Sequence, residues 1–239
     1  MVQAGWDDVP HIDEATKSEL LASYMPHERD ARSKGEPSLG SGAIYPIGLD
    51  DVLVKPFQIP EFWPRAYALD VGWKRTAALW GAWDPSTWSL YLISEYYASQ
   101  AVPAVHAGAI KARGEWIRGV IDPAAQGRSQ SDGAEMIQLY RDAGLDLTPA
   151  DNSVDAGIHD VWQMLAMGRL KAFTNLSNWQ AEFRLYRRDE RGKIVKQFDH
   201  LMDTMRYLVR SGRRVARTRP VDRADTSAAL PIGDSHAGY

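Results

Sequence analysis

Arg65-Ala66-Tyr67-Ala68-Leu69-Asp70-Val71-Gly72 is the stretch on which the fold turns. Its apolar residues alternate with period two, so it reads as a strand. Tyr67, Leu69 and Val71 face one way, and Ala66, Ala68 and Asp70 face the other. Downstream, Thr76–Trp83 and Trp88–Tyr97 are further apolar runs, separated by Asp84-Pro85-Ser86-Thr87, a turn with proline in its second position. Three strands on short connections predict an antiparallel meander. The character of the chain then changes. Ala104–Trp116 has helical spacing, Arg118–Asp122 reads as a short buried strand stopped by Pro123, and Gly133–Ala143 reads as a helix closed by Gly144. A strand is expected over Leu145–Thr148, and a helix over Ser153–Met167 with Ile158, Val161, Trp162 and Leu165 on one stripe. Glu182–Arg188 and Lys193–Phe198 flank Asp189-Glu190-Arg191-Gly192 and predict a β-hairpin. Phe198–Val209 is an amphipathic helix bearing Leu201, Met205 and Leu208. A meander followed by alternating helices and strands implies an α/β fold, a mixed sheet with helices on both faces.

Outside this body the composition shifts. Residues 1–58 read as an arm: Asp13 caps a short helix over Asp13–Tyr24, and the Gly/Pro-rich run from Gly35 to Gly42 follows. Residues 59–213 form the expected domain, and 214–239 carry few large apolar residues and are expected to be disordered. There is no cysteine, which excludes disulfides, zinc–thiolate sites and thiol nucleophiles. No apolar run approaches the ~20 residues that span a bilayer, and Met1–Asp8 lacks a basic-then-apolar leader pattern. A formal charge of −3 argues against wholesale coating of nucleic acid but leaves room for a local basic face.

Three acids stand where acids are awkward. Asp70 and Asp122 each end an apolar strand, and Asp203 lies inside the apolar helix Leu201-Met202-Asp203-Thr204-Met205. A carboxylate among such neighbours must be paired, hydrogen-bonded or metal-bound. If the first and fourth strands are a parallel pair, Asp70 and Asp122 project from one end of the sheet, and a helix across that end brings in Asp203. Three carboxylates held together repel unless a cation neutralises them, and hard oxygen ligands suit Mg²⁺ or Mn²⁺. Each acid also has a plainer role. An acid after a strand forms turns, and Asp203 has Arg206 and Arg210 within pairing distance along its helix. Spacing leaves both readings open. His200, one turn before Asp203, adds a ligand or proton shuttle, or is a helix-edge residue. Asp199 is placed as the helix N-cap. Glu95 points either at the same centre or outward from an edge.

Phe183-Arg184-Leu185-Tyr186-Arg187-Arg188-Asp189-Glu190-Arg191-Gly192-Lys193-Ile194-Val195-Lys196, followed by Asp199-His200-Leu201-Met202-Asp203-Thr204-Met205-Arg206-Tyr207, resembles the end of the nuclease domain of tailed-bacteriophage large terminase subunits. Ala68-Leu69-Asp70-Val71-Gly72-Trp73 and Gly119-Val120-Ile121-Asp122-Pro123 resemble two strand motifs of that domain, and segments near Gly5 and Arg29 resemble its upstream linker. The resemblance implies an RNase H-like endonuclease that cuts concatemeric double-stranded viral DNA in the host cytoplasm during genome packaging, with two Mg²⁺ or Mn²⁺ ions on Asp70, Asp122 and Asp203. It implies a catalytic part for His200, and a terminase ATPase domain, small subunit and portal as partners. The phosphate-loop pattern of an ATPase is absent from the sequence, so no ATP hydrolysis is expected.

Arg184, Arg187, Arg188, Arg191, Lys193 and Lys196 on the expected hairpin are candidates for phosphate contacts, which carry no sequence information. Trp179 and Tyr186 are either stacking residues or core. Two other readings fit the same fold or charges: a recombination nuclease of junction-resolvase or transposase type, and a non-catalytic module that docks on DNA or the portal.

Overall fold

Tyr67 and Leu69 fall in one hydrophobic cluster while Ala66 and Ala68 fall in another, so the two faces of their strand look into separate cores. The computed structural model describes residues 13, 16–17, 42–126 and 135–220. Around that strand, β2 (Arg65–Asp70), are β1 (Leu53–Val54), β3 (Thr76–Trp83), β4 (Leu90–Ala98), β5 (Arg118–Ile121), β6 (Leu147–Pro149) and β7 (Leu170–Phe173). They form one mixed sheet in the order β1-β7-β4-β3-β2-β5-β6. The meander β2–β3–β4 is antiparallel, and β5, β6, β7 and β1 add in parallel. The expected α/β architecture is what the chain adopts.

Helices cover both faces. On one side α2 (Pro103–Lys111) and α3 (Met136–Asp142) pack over Tyr67, Leu69, Ala78 and Trp80. On the other, α6 (His200–Tyr207) lies over β2 and β3, with α5 (Ser177–Leu185) against β4 and α4 (Val154–Ala166) against β7, around a core that includes Ala66, Ala68, Ala77 and Leu79. The small side chains Ala66, Ala68 and Ala77 let α6 approach the sheet closely. Leu201, Met202 and Met205 are fully buried there, and each contributes about 1.5–3 kcal/mol by leaving water. Asp70 belongs to this same face by alternation, which aims it toward α6.

Several expectations are corrected. Glu182–Leu185 is the end of helix α5, not a strand. What remains of the hairpin is a bridge between Arg188 and Ile194 around a turn in which Asp189 Oδ1 accepts the amides of Arg191 and Lys193. The body also starts earlier than residue 59: Ile44, Tyr45 and Val52 are buried, α1 (Leu49–Val52) precedes β1, and β1 pairs with β7. At the other end the backbone of Arg217 bonds that of Arg65, and residues 221–239 lie outside the described set. So does most of the expected first helix. Its cap is described: Asp13 Oδ1 accepts the Thr16 amide at 2.7 Å. The expected start of α3 at Gly133 also lies outside the described residues. Among the described residues no helix is long and apolar enough to cross a membrane.

Candidate functional site

Leu69 of β2 registers with Ile121 of β5, and the next residues are Asp70 and Asp122. The Asp122 amide donates to the Leu69 carbonyl at 3.1 Å. Two carboxylates therefore leave neighbouring parallel strands at the same sheet end. Asp122 also shapes the turn there, since its Oδ1 accepts the Ala124 amide at 3.0 Å. Helix α6 packs across β2 and β3 and presents two groups from its first turn. His200 Nδ1 lies 2.7 Å from Asp70 Oδ2. With Asp70 ionised, Nδ1–H is the donor and Nε2 is left for other work.

Asp203 is held from a second direction. Arg206, 1% exposed, donates from Nη2 to Asp203 Oδ1 at 2.8 Å and from Nη1 to Asn152 Oδ1 at 2.9 Å. Asn152 Nδ2 in turn lies 3.5 Å from Asp122 Oδ1. A hydrogen-bonded chain thus runs Asp203–Arg206–Asn152–Asp122. Lys196 Nζ stands 3.6 Å from Asp203 Oδ2 and 3.2 Å from Asp199 Oδ2. Of the two arginines within reach of Asp203, Arg206 takes it. Arg210 goes to Asp151 and Asp160.

Burial holds the Asp70 carboxyl above its usual range; the His200 contact opposes this, and the charges of Asp203 and Asp122 add to it. His200 is raised, first by its hydrogen bond to Asp70 and then, against burial, by the charges of Asp70, Glu182 and Asp199. Tyr207, raised mainly by burial, also feels Asp122, Asp203 and Asp70. The three acids thus share one electrostatic neighbourhood, in which the charges of Asp203 and Asp122 repel that of Asp70. That is the condition a hard divalent cation relieves, and in donor chemistry the set fits Mg²⁺ or Mn²⁺. Yet among the described residues no three Asp, Glu, His or Cys side chains stand together around one ion position. Arg206 and Lys196 hold the charge of Asp203 instead.

The basic residues divide. Arg187, Arg191 and Lys193 are exposed at the turn, where Gly42, Arg187, Arg188, Asp189, Glu190 and Arg191 line a groove of about 710 Å³. Arg188 is tied to Asp155 at 3.1 Å, Arg184 sits on α5, and Lys196 belongs to the acid cluster. Trp179 and Tyr186 are buried core residues, so neither is free to stack on a base.

Two acids have roles the sequence did not disclose. Glu95 is neither at the centre nor idle: from β4 its Oε1 accepts the Asn178 amide and its Oε2 the Trp179 amide, capping α5. Glu182, expected in a hairpin, is 2% exposed and accepts the Tyr97 hydroxyl at 2.5 Å and the Leu201 amide at 2.6 Å. The clue was there, because Trp179, Glu182, Phe183 and Tyr186 repeat at helical spacing with an acid inside the apolar stripe. Asp199 occupies the N-cap position of α6 but makes no side-chain cap bond; its carboxylate faces Lys196 while Glu182 serves the helix end.

A mixed sheet of this order, with acids at the ends of adjacent strands and on the covering helix, defines an RNase H-like α/β protein. The family described as Terminase RNaseH-like domain matches residues 68–211. Terminase large subunits of Enterobacteria phage LP7 and Salmonella phage P22 are each 33% identical over 210 residues, covering 84% of this chain. The chain spans only 44% and 42% of their lengths. The solved P22 large terminase nuclease domain is 31% identical with a TM-score of 0.69, over 75% of this chain and 96% of that one. The large terminase nuclease of thermophilic phage G20c with bound magnesium shares the fold at 15% identity, TM-score 0.53, over 72% of this chain and 98% of that one. The chain belongs to the terminase RNase H-like domain family and corresponds to the nuclease domain of terminase large subunits.

Proposed function

We propose that this chain is the DNA-cutting domain of a terminase large subunit, an endonuclease that cleaves double-stranded concatemeric viral DNA during genome packaging with little sequence preference. In this reading Asp70, Asp122 and Asp203 hold two Mg²⁺ or Mn²⁺ ions, and the exposed Arg187, Arg191 and Lys193 supply phosphate contacts. The observation that supports it most is the contact of His200 with Asp70, beside Asp122 on the adjoining strand and with Asp203 one turn along the same helix. The magnesium- and cobalt-bound G20c nuclease structures support a divalent cation. Bound there, the ions supply charge neutralisation at the phosphate and a more acidic water. The chain's own groups do the rest. Asp70 orients the His200 ring, whose Nε2 is positioned to take or give a proton. Arg206 fixes the rotamer of Asp203. The exposed cations at the turn hold the duplex by its backbone, where contacts carry no sequence information. The ATPase domain, small subunit and portal are the partners, and the host cytoplasm the place of action, that this reading implies.

Plasmid digestion tests it. Wild type cuts with Mg²⁺ or Mn²⁺ and not in EDTA, while Asp70→Asn, Asp122→Asn and Asp203→Asn do not cut. Cutting in EDTA, or undiminished cutting by all three variants, overturns the metal reading. Preference for four-way junctions over linear duplex would instead favour a recombination nuclease, and identical behaviour of wild type and Asp70→Asn in every assay a docking module.

A further inference from the structure

We propose that Glu182, with Tyr97, is a positioning residue for the site: a buried carboxylate that clamps the N-terminal end of α6 and thereby sets where His200 and Asp203 stand. The inference rests on the nuclease reading only for its effect on cutting. Glu182 sits on α5, four positions past Asn178, whose amide Glu95 holds from β4. It is 2% exposed, and both of its oxygens are used: Oε1 by the Tyr97 hydroxyl from β4 at 2.5 Å, Oε2 by the Leu201 amide at 2.6 Å. Leu201 is the residue after His200. Two short bonds from a buried acid therefore join the sheet, helix α5 and the first turn of α6.

The choice of an acid here has a cost. A buried carboxylate without partners is penalised by several kcal/mol, and a hydrophobic residue at this position would fill the stripe of Trp179 and Phe183 equally well. What the acid adds is an acceptor and a negative charge at the positive end of α6, where Asp199 provides no side-chain cap. Tyr97 extends the clamp outward. Its ring lies 6.4 Å from that of His200, and its other contact is the Arg75 guanidinium at 4.4 Å. The imidazole is thus set on one side by Asp70 and on the other by the element that Glu182 anchors.

The test uses Glu182→Gln, Glu182→Leu and Tyr97→Phe. Glutamine keeps an acceptor for the Leu201 amide and can donate to the Tyr97 oxygen, so it preserves the shape and removes the charge. The readouts are kcat and KM on supercoiled plasmid with Mn²⁺, and the imidazole ¹H–¹⁵N correlations of His200 in EDTA. Outer partners of this kind are typically worth 10–100-fold. The expectation is a kcat lower by about that factor in Glu182→Leu, with KM for DNA unchanged and displaced His200 resonances, a smaller loss in Tyr97→Phe, and partial rescue in Glu182→Gln. Glu182→Gln and Tyr97→Phe that keep both wild-type kcat and wild-type His200 resonances overturn the proposal, even if Glu182→Leu fails to fold. If wild type cuts no DNA with any divalent ion, the nuclease reading fails, and the resonances alone still decide whether Glu182 positions His200.

Discussion

Arg206 and Asp203 form an ion pair at 2.8 Å on consecutive turns of one helix, the guanidinium at 1% exposure and the carboxylate side chain at 15%. The pair costs desolvation, which the second bond of the guanidinium, from Nη1 to Asn152 Oδ1, helps to offset. Removing one partner strands the other. Asp203→Ala should destabilise the fold by about 3–5 kcal/mol, read as a lowered urea midpoint, while Asp203→Asn, which keeps the acceptor oxygen, should lose far less. Equal midpoints for the two variants would show that Arg206 finds another partner.

Gly157 tests the same guanidinium from behind. A Cβ on this residue of α4 would come within 2.4 Å of Arg206 Cγ and 2.6 Å of its Cδ. Alanine adds about 1 kcal/mol of helix propensity, but crowding of a packed stem costs about 1–3 kcal/mol. Gly157→Ala is expected to be net destabilising in urea denaturation and to reduce cutting by moving Arg206 off Asp203. A stabilised, fully active variant would contradict the close packing.

The pH dependence of stability should carry the mark of His200. Its folded-state pKa is raised above the ordinary value, chiefly by the Asp70 hydrogen bond. The charged ring therefore contributes stability that is fully present below about pH 6.5 and is lost as pH climbs through the raised value. In EDTA, wild type should lose stability over that window, and His200→Gln should lose less. Parallel curves for the two proteins would remove the coupling.

Cation binding is measurable without any cutting. Mn²⁺ added to a hundredfold excess over its dissociation constant should stabilise the native chain by about 2.7 kcal/mol, seen as a rise in Tm. Asp70→Asn and Asp122→Asn should show little rise. A full rise in both variants would place the ion elsewhere.

The exposed cations at the turn should appear in salt dependence. The slope of log affinity for duplex DNA against log salt shrinks in magnitude by about 0.9 for each phosphate left without its cation. Arg187→Ala with Arg191→Ala should thus flatten the slope by roughly two such steps, equally on unrelated sequences. An unchanged slope would mean the duplex lies elsewhere.

How far these features were legible depended on which periodicity was unambiguous. The β2 alternation correctly separated Asp70 from Leu69, and the parallel pairing of β2 with β5, only a condition in the sequence reading, is what the chain adopts. Leu170–Phe173 escaped notice because four apolar-rich residues are too short to show a period. The turn at Asp189–Gly192 makes Glu182–Arg188 read as a hairpin strand, yet Leu185 is 52% exposed, and the buried stripe uses helical spacing with an acid within it. Glu95 finds its partners 83 and 84 positions away at Asn178 and Trp179, and Glu182 reaches Leu201 at 19. No local pattern records such contacts. The pairing of Asp203 with Arg206 was one of two readings that helical spacing allowed, and the structure adopts it; the second cation, Lys196, and the lack of three gathered ligands among the described residues were not legible, since spacing states which groups can meet and not which partner wins.

Asp70 and Asp122 stand on strands locked by register, whereas His200 and Asp203 ride together on one short rod. A lengthwise slide of that rod would shift two of the four groups in step and leave the other two where they are. A contact at the rod's leading end, such as the Leu201 amide on Glu182, therefore bears on His200 and Asp203 together.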